Sequence, residues 1–176
     1  MPGPDPHASL QGAKAPSSAA AEDRASFELS FSPNVALVST VRQFVQSFYE
    51  QILGDPDAVD RLGLAAHELL ENAVKFSSDG VTHIRVDVLR NPEGGREVTI
   101  TTRNRAEPEH LEALKKLMAE LTQASDPLAH YQVLMKRSAK RTVGSGLGLG
   151  RIRAEADMEL DYRIEGNLVH LQATGR

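Results

Sequence analysis

A two-layer α/β sandwich, with a mixed and mostly antiparallel sheet and helices on one face, is the fold class this sequence predicts. Short segments that alternate apolar and polar residues are joined by turn signals, as in strand hairpins. Between them run segments whose apolar residues recur at three- and four-residue steps, the pattern of helices that bury one face. The order is strand, two helices, two strands, helices, a glycine loop, a helix and two strands. That order leaves the helices free to cover one face of a hairpin-built sheet.

Met1 to Ala25 carries Pro2, Pro4, Pro6, Pro16 and a Ser/Ala cluster, with almost no large apolar side chains. Such a segment cannot bury enough surface to offset chain entropy, so residues 1–25 are expected to be a disordered tail and 26–176 the domain. Phe27, Leu29 and Phe31 alternate with polar residues in a half-buried strand. Ser32, Pro33 and Asn34 open a helix whose stripe is Val38, Val41, Val45, Phe48 and Ile52, ending at Gly54. Asp55 and Pro56 supply a cap and a first-turn proline for a second helix, about Pro56 to Ser77.

Two strands follow, one through Ile84, Val86 and Val88, the other through Val98, Ile100 and Thr102, around a turn at Asn91–Gly95. Helical patterns run from about Pro108 to Leu121 and from Asp126–Pro127 to about Ala139. Gly144-Ser-Gly-Leu-Gly-Leu149 then leads into a short helix through Ala156. A terminal hairpin closes the chain: Leu160, Tyr162 and Ile164, a turn at Gly166–Asn167, then Val169, Leu171 and Ala173.

With 176 residues, 40% of them hydrophobic, one domain with a packed core is within reach. The formal net charge of −4 argues against a nucleic-acid binder. The chain has no cysteine, which excludes disulfides, thiolate metal sites and cysteine nucleophiles. Its six histidines are scattered, with no pair at helical metal-ligand spacing. No run approaches the ~18 apolar residues of a membrane helix, and no secretory h-region is readable. The cytoplasm is therefore the expected compartment.

The second helix holds His67-Glu-Leu-Leu-Glu-Asn72-Ala-Val-Lys-Phe76. Its core face is Leu62, Ala66, Leu69, Ala73 and Phe76. Glu68, Asn72 and Lys75 lie on one flank of that face, with His67 and Glu71 nearly opposite, toward solvent. A carboxylate one turn from an amide can orient or deprotonate an attacking group, while the amide oxygen suits Mg²⁺. An ordinary amphipathic helix with polar flanks has the same pattern. His67-Glu68 does not continue into a zinc-protease motif, because position 71 is Glu where that motif needs His. His67 reads instead as an exposed histidine.

The glycine loop, Gly144, Ser145, Gly146, Leu147, Gly148 and Leu149, lies just before a helix. Glycines let backbone N–H groups approach a phosphate, and a helix N-terminus adds donors and dipole. No Gly-Lys-Ser/Thr follows, and no strand precedes it, so it is neither a Walker nor a Rossmann loop; a hinge fits the same residues. Lys136, Arg137, Lys140 and Arg141 just upstream suit phosphate charge or a solvated helix end equally. Arg151 and Arg153 carry the same ambiguity.

Taken together, the two segments resemble a known family. Glu68-Leu-Leu-Glu-Asn72-Ala-Val-Lys-Phe76 is similar to the N-box of the GHKL ATPases (gyrase, chaperone, histidine kinase, mismatch repair). Gly144-Ser-Gly-Leu-Gly-Leu149 followed by Ile152 is similar to their G2 box. In size the chain most resembles the stand-alone bacterial anti-sigma-factor serine kinases. The resemblance implies a Bergerat-type sandwich that binds ATP and Mg²⁺ between the helical layer and a mobile lid at about 109–142. It implies that Asn72 coordinates Mg²⁺, that Glu68 is the general base for a protein serine or water, and that Lys75 lies near phosphate. The loop from Gly144 through Ser145, Gly146, Leu147 and Gly148 to Leu149 would wrap the triphosphate. A sigma factor or an antagonist-type regulatory domain is the implied protein partner, and homodimerisation follows from the same analogy.

One departure stands out. The family's Asp-x-Gly-x-Gly box should follow the strand ending near Thr102, yet Asn104 occupies the Asp position and Ala106 the first glycine. An Asn carbonyl can accept the adenine amino group's hydrogen bond, but without charge, and its amide half must find a partner. Two functions are therefore carried forward: an ATP-binding serine-protein kinase or ATPase, and a non-catalytic module that keeps the fold and binds a partner. A metal hydrolase has only His67–Glu68 in its favour.

Overall fold

The computed structural model describes residues 24–90, 94–138 and 146–176. Its elements are β1 (Arg24–Phe31), α1 (Val35–Leu53), α2 (Pro56–Phe76), β2 (Thr82–Arg90), β3 (Arg96–Arg105), α3 (Pro108–Gln123), α4 (Pro127–Ser138), α5 (Leu147–Glu155), β4 (Glu159–Glu165) and β5 (Leu168–Gly175). The strands form one five-stranded sheet in the order β1-β2-β3-β5-β4. Every pairing among the described residues is antiparallel, so the expected mixed sheet is an antiparallel one. The long connection between β3 and β5, through α3 to α5 and β4, brings β5 back against β3 in the antiparallel sense.

Local chemistry fixes the helix ends. Asn34 caps α1 by accepting from the Ala36 N–H at 2.8 Å, and Gly54 ends it in the left-handed region at φ 68°. Asp55 caps α2 by accepting from the Asp57 N–H at 3.1 Å, with Pro56 in the first turn. β1 starts at Arg24, ahead of its first large apolar residue, because the ladder to β2 begins at Arg24↔Leu89 and the Arg24 guanidinium reaches Asp87 at 2.6 Å. Arg24 and Ala25 thus belong to the sheet, while the rest of the expected tail lies outside the described residues.

One sheet face carries Ile84, Val86, Val88, Val98, Ile100, Val169, Leu171 and Ala173, all buried. α2 packs on that face and α1 packs on α2. The apolar stripe of α1 runs through Val38, Val41 and Val45 to Tyr49, which is fully buried; Phe48 and Ile52 pack at its margin. Phe27 from β1 meets Phe44 and Phe48 edge-on, each at 4.9 Å between centroids. The other sheet face is polar. There Arg85 donates to Asp87 at 2.6 Å, and Ser30 and His83 share a 2.6 Å hydrogen bond. Among the described residues no helix is long and apolar enough to cross a membrane.

Candidate functional site

A cavity of about 680 Å³ lies between α2, the ends of β3 and β5, helices α3 and α4, and the N-terminus of α5. Glu68 and Asn72 both line it, one helical turn apart on α2. Leu69, Ala73 and their neighbours anchor the same helix in the core, which fixes the polar flank at the cavity wall. Lys75 lies at the rim, exposed, with its ammonium 5.3 Å from the centre of the Phe76 ring.

Glu68 is only 9% exposed. Its Oε1 accepts from the Arg151 guanidinium at 3.3 Å. Its carboxyl is held above the usual carboxylate range, chiefly because burial penalises the ionised form; the hydrogen bond and positive charge of Arg151 oppose this. Arg151 is braced in turn by Glu155, one turn along α5, at 2.7 Å. Asn72 donates from its amide nitrogen to the Glu68 backbone carbonyl at 2.7 Å. That bond uses one of the two amide N–H groups, and the amide oxygen accepts no hydrogen bond among the described residues.

α5 opens at Gly146, which adopts φ 68° and supplies no side-chain cap. A Cβ there would lie 2.6 Å from Leu117 Cδ1 on α3. Gly148 meets a different neighbour: a Cβ on it would overlap Glu68 Oε2. The missing side chains therefore let one helix N-terminus approach both α3 and the α2 carboxylate. Leu147, Gly148 and Leu149 form the first turn of α5, so the expected loop ends at Gly146; once the left-handed residue turns the chain, helical bonding begins. Leu149 is buried in the core. Gly144, Ser145, Lys140 and Arg141 lie outside the described residues. Arg137 pairs with Glu120 at 2.9 Å across α3 and α4, at the cavity edge. Arg153 turns away and donates to the Leu121 carbonyl.

At the sheet end, Thr102 and Asn104 project from β3 into the lining, both buried. The Asn104 amide nitrogen donates to the Arg105 carbonyl at 3.1 Å, which gives its amide half a partner and leaves its oxygen as the acceptor. Ala106 is buried and its N–H is tied to the Asn167 carbonyl at 2.9 Å. Its Cβ occupies space that a glycine would leave to a ligand.

One expectation about α2 is corrected at His67. His67 is half-buried, with Nε2 3.3 Å from Glu71 and Nδ1 buried without a partner among the described residues. It packs against its own helix neighbour in place of facing water. Glu71 is exposed, as expected, at the cavity rim. Arg151, Thr102 and the Phe76–His110 ring pair, 4.7 Å between centroids, also belong to this site. Phe76, expected on the core face, is only half-buried and lines the cavity; Arg151 was signalled by its place just past the glycines, and its partner lies 83 residues away.

These residues fit a magnesium nucleotide. The volume suits a ligand of that size. Mg²⁺ binds through one or two protein oxygens plus phosphates, and the Asn72 amide oxygen is such a donor. The α5 N-terminus, to which Gly146 gives no side-chain cap, lines the same cavity, and its dipole suits anionic oxygens.

The antiparallel sandwich, with a carboxylate and an amide one turn apart facing a glycine-opened helix, defines a class. The model of the histidine kinase-like ATPase domain matches residues 31–173, and the chain belongs to that family. Among solved structures the fold is similar to a chain of the SiaB–SiaC complex from Pseudomonas aeruginosa, with a TM-score of 0.58 and 10% identity, covering 85% of this chain and 88% of that one. No curated protein sequence matches the chain.

Proposed function

We propose that this is an ATP- and Mg²⁺-binding regulatory protein that phosphorylates a serine of a protein partner in bacterial signalling, in the manner of an anti-sigma kinase. The observation that carries the reading is the meeting of Glu68, Asn72 and the α5 N-terminus on one wall of the cavity. Bound magnesium nucleotide would supply the transferable phosphoryl group and offset its charge.

Every other part belongs to the chain. Asn72 would hold Mg²⁺ through its amide oxygen, with its amide nitrogen tied to the Glu68 carbonyl. Glu68, with its carboxyl shifted up by burial, takes the proton of the incoming hydroxyl at Oε2 while Arg151 holds Oε1. The segment from Gly144 to Leu149, of which Gly146 to Leu149 line the cavity, would contribute backbone donors to the phosphates, and Lys75 a cation at the rim. Asn104 accepts from the base of the nucleotide. α3 and α4 act as the lid.

The partner is a cytoplasmic protein, a sigma factor or an antagonist-type regulatory domain, and the chain acts as a homodimer. The structural neighbour was solved within a SiaB–SiaC complex, which supports a protein partner here. Asn104 and Ala106 favour a second reading, in which the fold is kept, nucleotide binding is weak or lost, and the partner is bound without phosphotransfer.

Titration calorimetry with ATP and Mg²⁺ separates the two. A saturable heat that Asn72→Ala weakens by at least about tenfold supports the first reading. Silence at millimolar ATP sinks it. Phosphate transfer to serine-bearing candidate partners, with Glu68→Ala as the inactive control, then tests catalysis.

A further inference from the structure

We infer a second ligand site, at the opposite end of α2, that takes a small organic oxyanion: a carboxylate or phosphate group on an apolar body. A separate cavity of about 330 Å³ lies where the α1–α2 junction meets the outer ends of β2, β3 and β5 and the α5–β4 turn. Arg61, Arg90, Arg96 and Arg176 all line it. Two aspartates, Asp55 and Asp157, share the lining, so among the described residues arginines outnumber carboxylates there by two to one. Asp55 Oδ1 is further engaged by the backbone N–H of Asp57 as the α2 cap.

The arginines are not equivalent. Arg96 donates to the Ile52 carbonyl and Arg176 sits 3.4 Å from Glu97. Arg61 and Arg90 make no ion pair or side-chain hydrogen bond among the described residues. Two exposed guanidiniums at one cavity mouth, in a chain of net charge −4, concentrate positive potential and offer forked donors to a planar or tetrahedral oxyanion. The floor is different in kind. Leu62, Val98 and Met158 line it and all are buried, so the cavity joins an apolar base to a cationic rim. A bare inorganic ion would leave that base uncovered, whereas an organic anion fits both halves.

This site is separate from the Glu68 cavity and does not rest on the nucleotide reading. Arg61 and Glu68 are seven residues apart on one helix, roughly 10 Å along its axis. Because α2 begins at this cavity and its Glu68–Asn72 turn lines the other, binding at each can be read separately.

The test is methionine-methyl NMR on the full chain. Met158 reports this floor, while Met118 and Met135 sit on helices that wall the other cavity. The probes are phenyl phosphate and benzoate, with phenol and inorganic phosphate as comparisons. Expected is saturable movement of the Met158 signal with phenyl phosphate or benzoate, which of the two distinguishing the phosphate from the carboxylate source. Affinity should be at least about tenfold weaker for phenol and inorganic phosphate, and at least about tenfold weaker in Arg61→Gln/Arg90→Gln. Both arginines are exposed and unpaired, so the double variant keeps its fold, checked by unchanged Met118 and Met135 signals. No saturation by either organic anion overturns the inference. So does a double variant within about twofold of the parent, or phenol or inorganic phosphate binding as tightly as the organic anions.

Discussion

At the α2–α5 end of the main cavity, Glu68 is enclosed by Arg151 on one oxygen and by the open side of Gly148 on the other. At the sheet end, Asn104 and Ala106 are tied to backbone carbonyls of Arg105 and Asn167. The first end is built from side chains that reach across between elements and would not fit if Gly148 carried a Cβ. The second is built from main chain, with side chains that settle locally. The difference separates two kinds of constraint. Under the proposed function, the tight end would fix the geometry that chemistry needs, and the sheet end would set only which ligand group lies beside it. It also explains why the family pattern is intact at one end and altered at the other without disturbing the sheet.

The sharpest way to break this contrast is at Glu68. Glu68→Gln keeps the shape and removes the proposed base. Phosphotransfer or ATP hydrolysis is expected to fall by about 10²- to 10⁴-fold, while calorimetric affinity for magnesium nucleotide stays within about threefold. If affinity falls as far as turnover, the tight end holds the ligand and performs no chemistry. Gly148→Ala is the next test. Its Cβ must displace the far end of the Glu68 side chain, which is flexible, so the fold survives. Ala is favoured over Gly within a helix by about 1 kcal/mol, which offsets the strain, and the melting temperature should stay within about 4 °C. Turnover should nonetheless drop by about 10²-fold, because an ångström of misplacement at a base is that costly. Gly148→Ala/Glu68→Gln should then be no worse than Glu68→Gln alone, since both act through one carboxylate.

How much of this was legible in the sequence follows the same division. The α1 and α2 stripes, the Asn34 and Asp55 caps and both hairpins were readable because they are local: period, cap and turn residue all lie within a few positions. Glu68 and Asn72 were readable as a pair because helical spacing puts them one turn apart. The contacts that complete the site were not. Arg151 looked like any basic residue after the glycines, and only the fold brings it to Glu68. Gly148 read as a flexible loop glycine; its lack of Cβ serves packing in the first turn of α5. His67 faced water by helical angle alone, but its bond to Glu71 and the surrounding helix layer half-bury it. Period states which way a side chain points and not what arrives there from elsewhere in the chain.

At the sheet end the expected effect is smaller. Asn104 donates to the Arg105 carbonyl, a bond that an ionised Asp cannot make. Asn104→Asp therefore removes a hydrogen bond and buries a carboxylate, costing about 1–3 kcal/mol of stability without ligand. In return it restores a charged acceptor for an amino group on the base. Thermal shift with ATP and with GTP should show the ATP preference rising by about tenfold. Equal shifts for both nucleotides would mean that this end does not read the base.

The smallest effect tests whether enclosing Glu68 costs the fold anything. Its carboxyl is held above the ordinary value of 4.5, because burial outweighs the help from Arg151. Between the unfolded and the folded value the native state binds more protons, so this group's contribution to stability falls as pH rises through that window. Above that window the folded chain carries the cost of an ionised buried carboxylate. Glu68→Gln is therefore expected to melt a few degrees higher than the parent at pH 7, with the gain shrinking toward nothing as pH falls below 4.5. Asp87, on the polar sheet face, has the opposite sign. Arg85 holds its carboxyl below 3.8, so its contribution is present at neutral pH and lost only as pH falls through that depressed value. Asp87→Asn should accordingly melt lower than the parent at pH 7 and converge with it only in stronger acid. If Glu68→Gln also melts lower at pH 7, the ion pair with Arg151 outweighs burial. The Glu68 carboxylate would then be a structural brace held in place at the cavity, with little freedom to take a proton.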